Sequence, residues 1–411
     1  MNIIEIAEKI KKNGGKLYLV GGALRDELLN KKEFDKDYCV TGISKQKFKE
    51  LFPESKIIGK NFEVFLIDNT EFALARKEKK TGIGHKQFAI EAKENITIQE
   101  DLKRRDITIN AMAKDVLTGE IIDPYGGIGD IKNKIIKATT KAFKEDPLRA
   151  YRVARIAAQT QFEVQEETIE LMYTLKEEIK TLSKDRIYRE LKKALESKKP
   201  SIFFEVLRKA KILEVHFKEI YNLIGSIQPI KYHPEGDSYN HTMIVVDKAS
   251  TLTKDVKIIF SALVHDIGKG ITPKQMYPHH YGHDEKGVML VEQMGKRIGV
   301  PNTWIKCGKT AAKEHMKAGI FFKMTTNKKV QFIERVNKTL LGLEGLQTVV
   351  IADKCSSRNI KIEEIQFDKI GKQCIEIING NYIKQIYNIK NPLEIKNKLH
   401  QERIKWIEQL E

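Results

Sequence analysis

Asp35 and Asp37 stand two residues apart in the run Phe34-Asp35-Lys36-Asp37-Tyr38-Cys39-Val40. On a strand, side chains alternate with a period of two, so both carboxylates face one side, about 6–7 Å apart at Cα. Two oxygen ligands at that spacing suit a pair of Mg²⁺ ions. Upstream, the apolar run Leu17-Tyr18-Leu19-Val20 ends at Gly21-Gly22, and Arg25 follows in the next expected helix. Glycines admit backbone N–H groups close to a phosphate, and a helix N-terminus favours an anion. Together they would hold a triphosphate on one side and its activating metals on the other. Taken alone, the segment also reads as a turn followed by surface aspartates.

Three further constellations could do chemistry. Arg104-Arg105-Asp106 precedes a stretch, Ile107 to Lys114, that alternates polar and apolar residues and reads as a strand, so a guanidinium could reach a triphosphate. Glu145-Asp146-Pro147-Leu148-Arg149 sets an acceptor and a donor three apart at a helix start. Such a pair accepts C and A and rejects U and G, because the wrong base leaves buried groups unpaired. An N-cap with an i,i+3 ion pair is the plainer reading. Arg152 and Arg155 continue a basic stripe down that helix. Last, Ala262-Leu263-Val264-His265-Asp266-Ile267-Gly268-Lys269-Gly270 ends an apolar helix on adjacent His and Asp. Imidazole with carboxylate suits Mg, Mn, Ni, Co or Fe.

The elements that must position these groups divide the chain. Strands are expected at Lys16–Val20, Lys36–Val40, Lys56–Ile58, Glu63–Ile67, Glu71–Ala75 and Ile107–Lys114. Glu71 is either a third carboxylate of the metal site or an exposed strand start, and Lys77–His85 reads as a basic loop. From Pro147 the pattern is helical, His233-Pro234-Glu235-Gly236-Asp237 breaks it, and a second helical region begins near His241. No run approaches the roughly 20 apolar residues of a membrane span. Four scattered cysteines without a C-x-x-C pair argue for a reducing, cytoplasmic setting. The net charge of +17 points to a polyanionic partner, unless heavy Lys and Ile usage reflects AT-rich coding.

The motifs G-G-x-x-R-D, D-x-D, A-R-x-E-x-K, R-R-D-x-T-I-N-A, D-P-x-G-G and E-D-P-L-R-x-x-R-x-A-R occur in that order between residues 17 and 155. This order resembles the bacterial CCA-adding enzymes and the related bacterial poly(A) polymerases. Departures are mild: Leu24 and Tyr38 stand where Val and Trp are frequent. The resemblance implies an α+β fold, with a polymerase-β-like nucleotidyltransferase head followed by an all-α neck, an all-α HD domain and a helical tail. Gly22, Arg25, Arg105, Arg152 and Arg155 match the family's nucleotide contacts, Asp35 and Asp37 its metal carboxylates, and Asp146 with Arg149 its base-reading pair. The loop Arg76–Phe88 and the segment Gly59–Phe65 resemble the CCA-adding version more than the poly(A) one.

The His265-Asp266 segment resembles HD-type metal phosphohydrolases. That resemblance implies His241, His265, Asp266 and Asp353 as metal ligands. His283 and His315 are open between a second metal site and, for His279, His280 and His283, a surface cluster. The expected domains are a head at 1–140, a neck at 141–227, an HD domain at 228–340 and a tail at 341–411, with Asp353 completing the HD site. Expected partners are CTP, ATP, and the 3′ end and acceptor stem of tRNA, with no membrane, on a monomer or homodimer. Mg²⁺ is expected in the head and a transition metal, Ni²⁺ first, in the HD site. The implied hydrolytic activities are 2′,3′-cyclic phosphodiesterase, 2′-nucleotidase and phosphatase. A poly(A) polymerase is the alternative.

Overall fold

The computed structural model describes residues 1–31, 36–58, 64–80, 88–91, 94–354, 362 and 365–410. Asp35 lies outside them, as do most of Gly59–Phe65 and the centre of the loop Arg76–Phe88. The chain forms two compact units, Met1–Ser183 with Lys209–Ile212, and Lys184–Arg208 with Leu213–Glu411.

The first unit is built on a sheet. Its strands are β1 Lys16–Val20, β2 Asp37–Thr41, β3 Lys56–Ile58, β4 Val64–Ile67, β5 Thr70–Leu74, β8 Ala113–Asp115 and β9 Ile121–Ile122, in the order β3-β4-β5-β2-β1-β8-β9. A separate antiparallel ribbon pairs β6 Lys77–Lys80 with β7 Phe88–Glu91, where a loop was expected. The period of two sorts residues onto opposite faces. Leu17, Leu19, Tyr38, Val40 and Phe72 pack with Ile6, Ile10 and Phe48, whereas Tyr18, Val20 and Cys39 pack with Ile98 and Leu102. Phe48 lies 4.4 Å from Phe65, and Tyr38 stacks on Phe72 at 5.4 Å, ring centre to ring centre. Each such buried ring contributes roughly 2–3 kcal/mol.

The expected strand Ile107–Lys114 is not continuous. Thr108–Asn110 forms a 3-10 turn, and only Ala113–Asp115 joins the sheet. The cause is polar chemistry: Thr108 and Asn110 are buried rather than facing water. Asn110 Oδ1 accepts from Arg25 Nη1 at 2.8 Å, and Thr108 Oγ1 donates to Asp130 at 2.5 Å. An alternating strand would have turned those groups to solvent.

Helix Leu148–Thr160 follows the head sheet and buries Tyr151, Val153, Ala154 and Ala157. Asp146 Oδ1 accepts from the Leu148 N–H at 3.0 Å, so the acidic side chain does start the helix. The second unit is helical. Ser238–Leu252, Val256–Val264, Asn302–Ala318 and Gly342–Lys354 bury Val245, Ala262, Ala311, Val349 and Val350 in one core, which Ile407 of the last helix, Pro392–Glu408, also joins. Helix His283–Ile298 packs beside them. No helix among the described residues is long and apolar enough to cross a membrane.

Candidate functional site

In the first unit, Asp37 opens β2 and is exposed. The parallel pairing of β2 with β5 sets Glu71 in register with Asp37. Register partners share a sheet face, so both carboxylates lie on the face of Cys39. Glu71 is therefore beside Asp37, a placement that its own strand does not reveal.

Arg25 and Arg105 come close to the glycines that follow β1, and Arg104, Arg152 and Arg155 extend the basic set. Gly21 has a φ of +68°, and a Cβ there would lie 2.8 Å from Arg105 Nη1. The positive φ favours glycine, while the Arg105 side chain could shift to admit a Cβ. Arg105 Nη2 donates to Asp101 Oδ2 at 3.1 Å, and Arg104 Nη2 donates to Asp101 Oδ1 at 2.6 Å. Burial works against the Asp101 charge, but these guanidiniums hold its carboxyl below the usual range. Arg25 is buried and donates to Asn110 and to Asp26 Oδ1, the latter at 2.9 Å. Arg152 Nε donates to Asp106 Oδ2 at 2.7 Å, and again burial is outweighed, so Asp106 sits well below the carboxylate range. Arg155 donates to Gln159 at 2.8 Å.

Asp146 and Arg149 are close in the chain but anchored to different groups. Arg149 is buried, and its Nη1 and Nη2 donate to the carbonyls of Ala142 at 2.6 Å and Arg104 at 2.7 Å. Those bonds fix the guanidinium plane. The supports Asp101, Asp106 and Asn110 were not singled out as site residues. Asn110 stands out as a polar residue in the largely apolar run Ile107–Ala113, whereas Asp101 and Asp106 sit among other charged residues and carry no such signal.

In the second unit, six side chains converge. His241, His265, Asp266, His283, His315 and Asp353 are all buried. The ligand atoms of His241, His265 and Asp353 lie within 4.8 Å of one another, as do those of Asp266, His283 and His315. Asp266 joins the two groups: Oδ2 is 3.2 Å from His265 Nε2, while Oδ1 is 3.3 Å from His283 Nε2 and 3.2 Å from His315 Nε2. His283 and His315, left open by the sequence, belong to this cluster. His279 does not, since it stacks on Tyr281, and His280 bonds Thr272 and the Ile227 carbonyl. Gly268 lets the doublet pack here, because a Cβ would collide with the His283 carbonyl.

The orientation of the rings tests whether a cation fits. His265 Nδ1 bonds the Ala262 carbonyl at 2.7 Å, His283 Nδ1 the His280 carbonyl at 2.7 Å, and His315 Nδ1 those of Ala311 and Ala312 at 3.0 Å. A carbonyl only accepts, so each Nδ1 carries a proton, which leaves Nε2 as the nitrogen that each ring turns inward towards a cation. His265 Nε2 and Asp266 Oδ1 have no hydrogen-bond partner although both are buried. Lone pairs turned on one another repel, and a divalent cation between them removes the conflict. Burial opposes the Asp266 charge, yet Lys269 and His265 hold it well below the carboxylate range. Lys269 Nζ lies 2.6 Å from both Asp266 Oδ2 and Gln228 Oε1. Burial likewise opposes charge on His241, but its hydrogen bonds to the carboxylates of Asp353 and Glu235 raise it to about 9. A cleft of about 640 Å³ opens on the cluster, walled by His233, Lys269, His279, Tyr281 and Lys354.

Three family models match the chain. Residues 17–137 match the poly A polymerase head domain, 161–223 the probable RNA and SrmB-binding site of polymerase A, and 238–356 the HD domain. The multifunctional CCA protein of Shewanella frigidimarina (strain NCIMB 400) is 42% identical over 327 residues, 78% of each chain. That of Shewanella denitrificans is 41% identical over 347 residues, 82% of this chain and 83% of the other. The fold is that of a CCA-adding enzyme solved in an apo form, at 20% identity and a TM-score of 0.66 over 98% of this chain and 91% of that one. A Thermotoga maritima CCA-adding enzyme complexed with tRNA gives 18% and 0.62 over 98% and 89%.

Proposed function

The chain belongs to the family of multifunctional CCA proteins, and from that premise we propose that it adds C, C and A to the 3′ end of tRNA from CTP and ATP, and that its HD region is a separate phosphohydrolase. The observation that carries this reading is the presence, in one chain, of an arginine-lined strand end bearing Asp37 and a buried centre of four imidazoles and two carboxylates.

In the head, Gly22, Arg25, Arg105, Arg152 and Arg155 meet the triphosphate. The arginines offer permanent charge, and buried Asn110, Asp101 and Asp106 hold Arg25, Arg105 and Arg152 in place against their mutual repulsion. Asp37, with Asp35 beside it in sequence and Glu71 in register, would hold Mg²⁺, which supplies charge to acidify the RNA 3′-hydroxyl and to steady the leaving group. The hydroxyl oxygen bonds to the α-phosphorus as the bond to pyrophosphate breaks. Asp146 and Arg149 read the base, so no nucleic-acid template is needed. The acceptor is the tRNA 3′ end with its acceptor stem, and the setting is the cytoplasm.

In the HD region, His241, His265, Asp266 and Asp353 would hold a transition metal, which we take to be Ni²⁺, and His283 with His315 would hold a neighbouring ion. Ions held there would lower the pKa of a water, so that hydroxide becomes available to attack a phosphoester. Lys269 orients Asp266 and meets the phosphate at the cleft wall. The substrates proposed are 2′,3′-cyclic phosphates, 2′-nucleotides and simple phosphomonoesters. The test of the whole reading is incubation with tRNA ending at the discriminator base, with CTP and ATP singly and together. Addition of C, C and A supports it; long A tails without C incorporation favour a poly(A) polymerase instead.

A further inference from the structure

We infer that Glu235 is a positioning residue of the imidazole centre, and that the segment Gln228–Asp237, which precedes the HD match at 238–356, is a working part of that centre. The inference rests on the metal reading above. It starts from a difference among four rings. His265, His283 and His315 each give Nδ1 to main-chain carbonyls of their own or the adjoining turn. His241 instead gives Nδ1 to a side chain, Glu235 Oε1, at 2.6 Å. Its Nε2 then faces Asp353 Oδ1 at 3.1 Å.

A main-chain carbonyl orients an imidazole without a full charge. A carboxylate orients it and also makes the opposite nitrogen a stronger donor to a cation. The Glu235 side chain is only 6% exposed, so solvent does not dilute that effect. His233 Nδ1 lies 3.0 Å from the same Oε1 and closes the far side. The segment reaches the centre a second time, since Gln228 bonds the Lys269 ammonium that holds Asp266.

His233, Glu235 and His241 are also close enough to bind an ion themselves. Geometry disfavours that use. An ion there would need Nδ1 of His241 while Nε2 serves Asp353 and the inner site, which demands a doubly deprotonated ring.

The experiment titrates Ni²⁺ and Mn²⁺ into the metal-stripped full chain against a chromogenic chelator. Wild type, E235Q, E235A and H233A are compared, with nucleotide addition to tRNA as the control for folding. E235A should lose about 10–100-fold in affinity for the tighter ion at unchanged stoichiometry. E235Q, which keeps the hydrogen-bond acceptor but not the charge, should fall between it and wild type, and decides the matter if E235A does not fold. Equal affinities in wild type, E235Q and E235A sink the inference while leaving the metal reading intact. Loss of one whole ion in H233A overturns it in favour of a third ion site. A wild-type chain that binds neither ion removes the metal reading itself.

Discussion

Around the end of β1 the working groups are guanidiniums held by buried carboxylates and an amide, whereas in the helical unit they are imidazoles held chiefly by main-chain carbonyls. The contrast follows from the chemistry of the two groups. A guanidinium is always charged, so holding several together under a sheet requires anions such as Asp101 and Asp106. An imidazole must stay neutral to offer a lone pair, so a neutral acceptor on Nδ1 orients it without charging it. Asp37 and Glu71 are exposed, while the imidazole centre is buried and a cleft opens on it.

The largest expected effect would break the comparison into two independent activities. Asp37→Ala should reduce nucleotide addition at least about a thousand-fold, the loss of several kcal/mol of metal-borne stabilisation, and leave 2′,3′-cyclic phosphate hydrolysis unchanged. His265→Ala should do the reverse. Measuring both activities on both variants checks this, and a shared loss would mean that the two sites are not chemically separate.

Next in size is the anion that holds the arginines. Asp101→Ala leaves Arg104 and Arg105 without their buried partner, which should destabilise the head by about 3–5 kcal/mol in chemical denaturation. The pH dependence has a fixed sign. Asp101 and Asp106 have folded values below their ordinary 3.8, so their stabilisation is present above that pH and is lost as pH falls through the folded values. The head should therefore begin to unfold below about pH 4, and Asp106→Asn should flatten that acid limb.

A smaller effect concerns base choice. Arg149→Lys keeps charge but cannot bond both the Ala142 and Arg104 carbonyls in one plane. It should relax discrimination of CTP and ATP over UTP and GTP by about a hundred-fold, while the triphosphate KM changes far less. Equal losses for all four nucleotides would assign Arg149 a structural task only.

What the sequence alone made legible was local. The strand Lys16–Val20, the helix opened by Asp146 and the His265-Asp266 doublet follow from periodicity and residue type over a few positions. Supports contributed from a distance were not legible. Arg25 meets Asn110 across 85 residues, and His241 meets Asp353 across 112. The second of these was anticipated only through a family resemblance. Glu235 was read as part of a chain break, because His-Pro-Glu-Gly-Asp carries turn chemistry that hides the role of one side chain. Likewise, the register of β5 against β2, not any pattern in Glu71–Ala75, brings Glu71 to Asp37.

The smallest effect sharpens the comparison by touching neither site. Thr97 and Glu100 form a capping box on the helix Ile98–Lys103 that carries Asp101, with Thr97 Oγ1 accepting from the Glu100 N–H at 3.3 Å. Asp255 caps the helix Val256–Val264 that leads to His265, accepting from the Lys257 N–H at 2.9 Å. Thr97→Ala and Asp255→Ala should each cost about 1 kcal/mol of stability. Each carrier helix is also held by buried apolar contacts, Leu102 in one and Phe260 and Leu263 in the other, so the chemistry-bearing end should stay in place. Denaturation midpoints should fall in both, with nucleotide addition unchanged in Thr97→Ala and metal affinity unchanged in Asp255→Ala. A tenfold weaker triphosphate KM in Thr97→Ala alone would show that the arginine cluster depends on its carrier helix in a way that the carbonyl-held imidazoles do not.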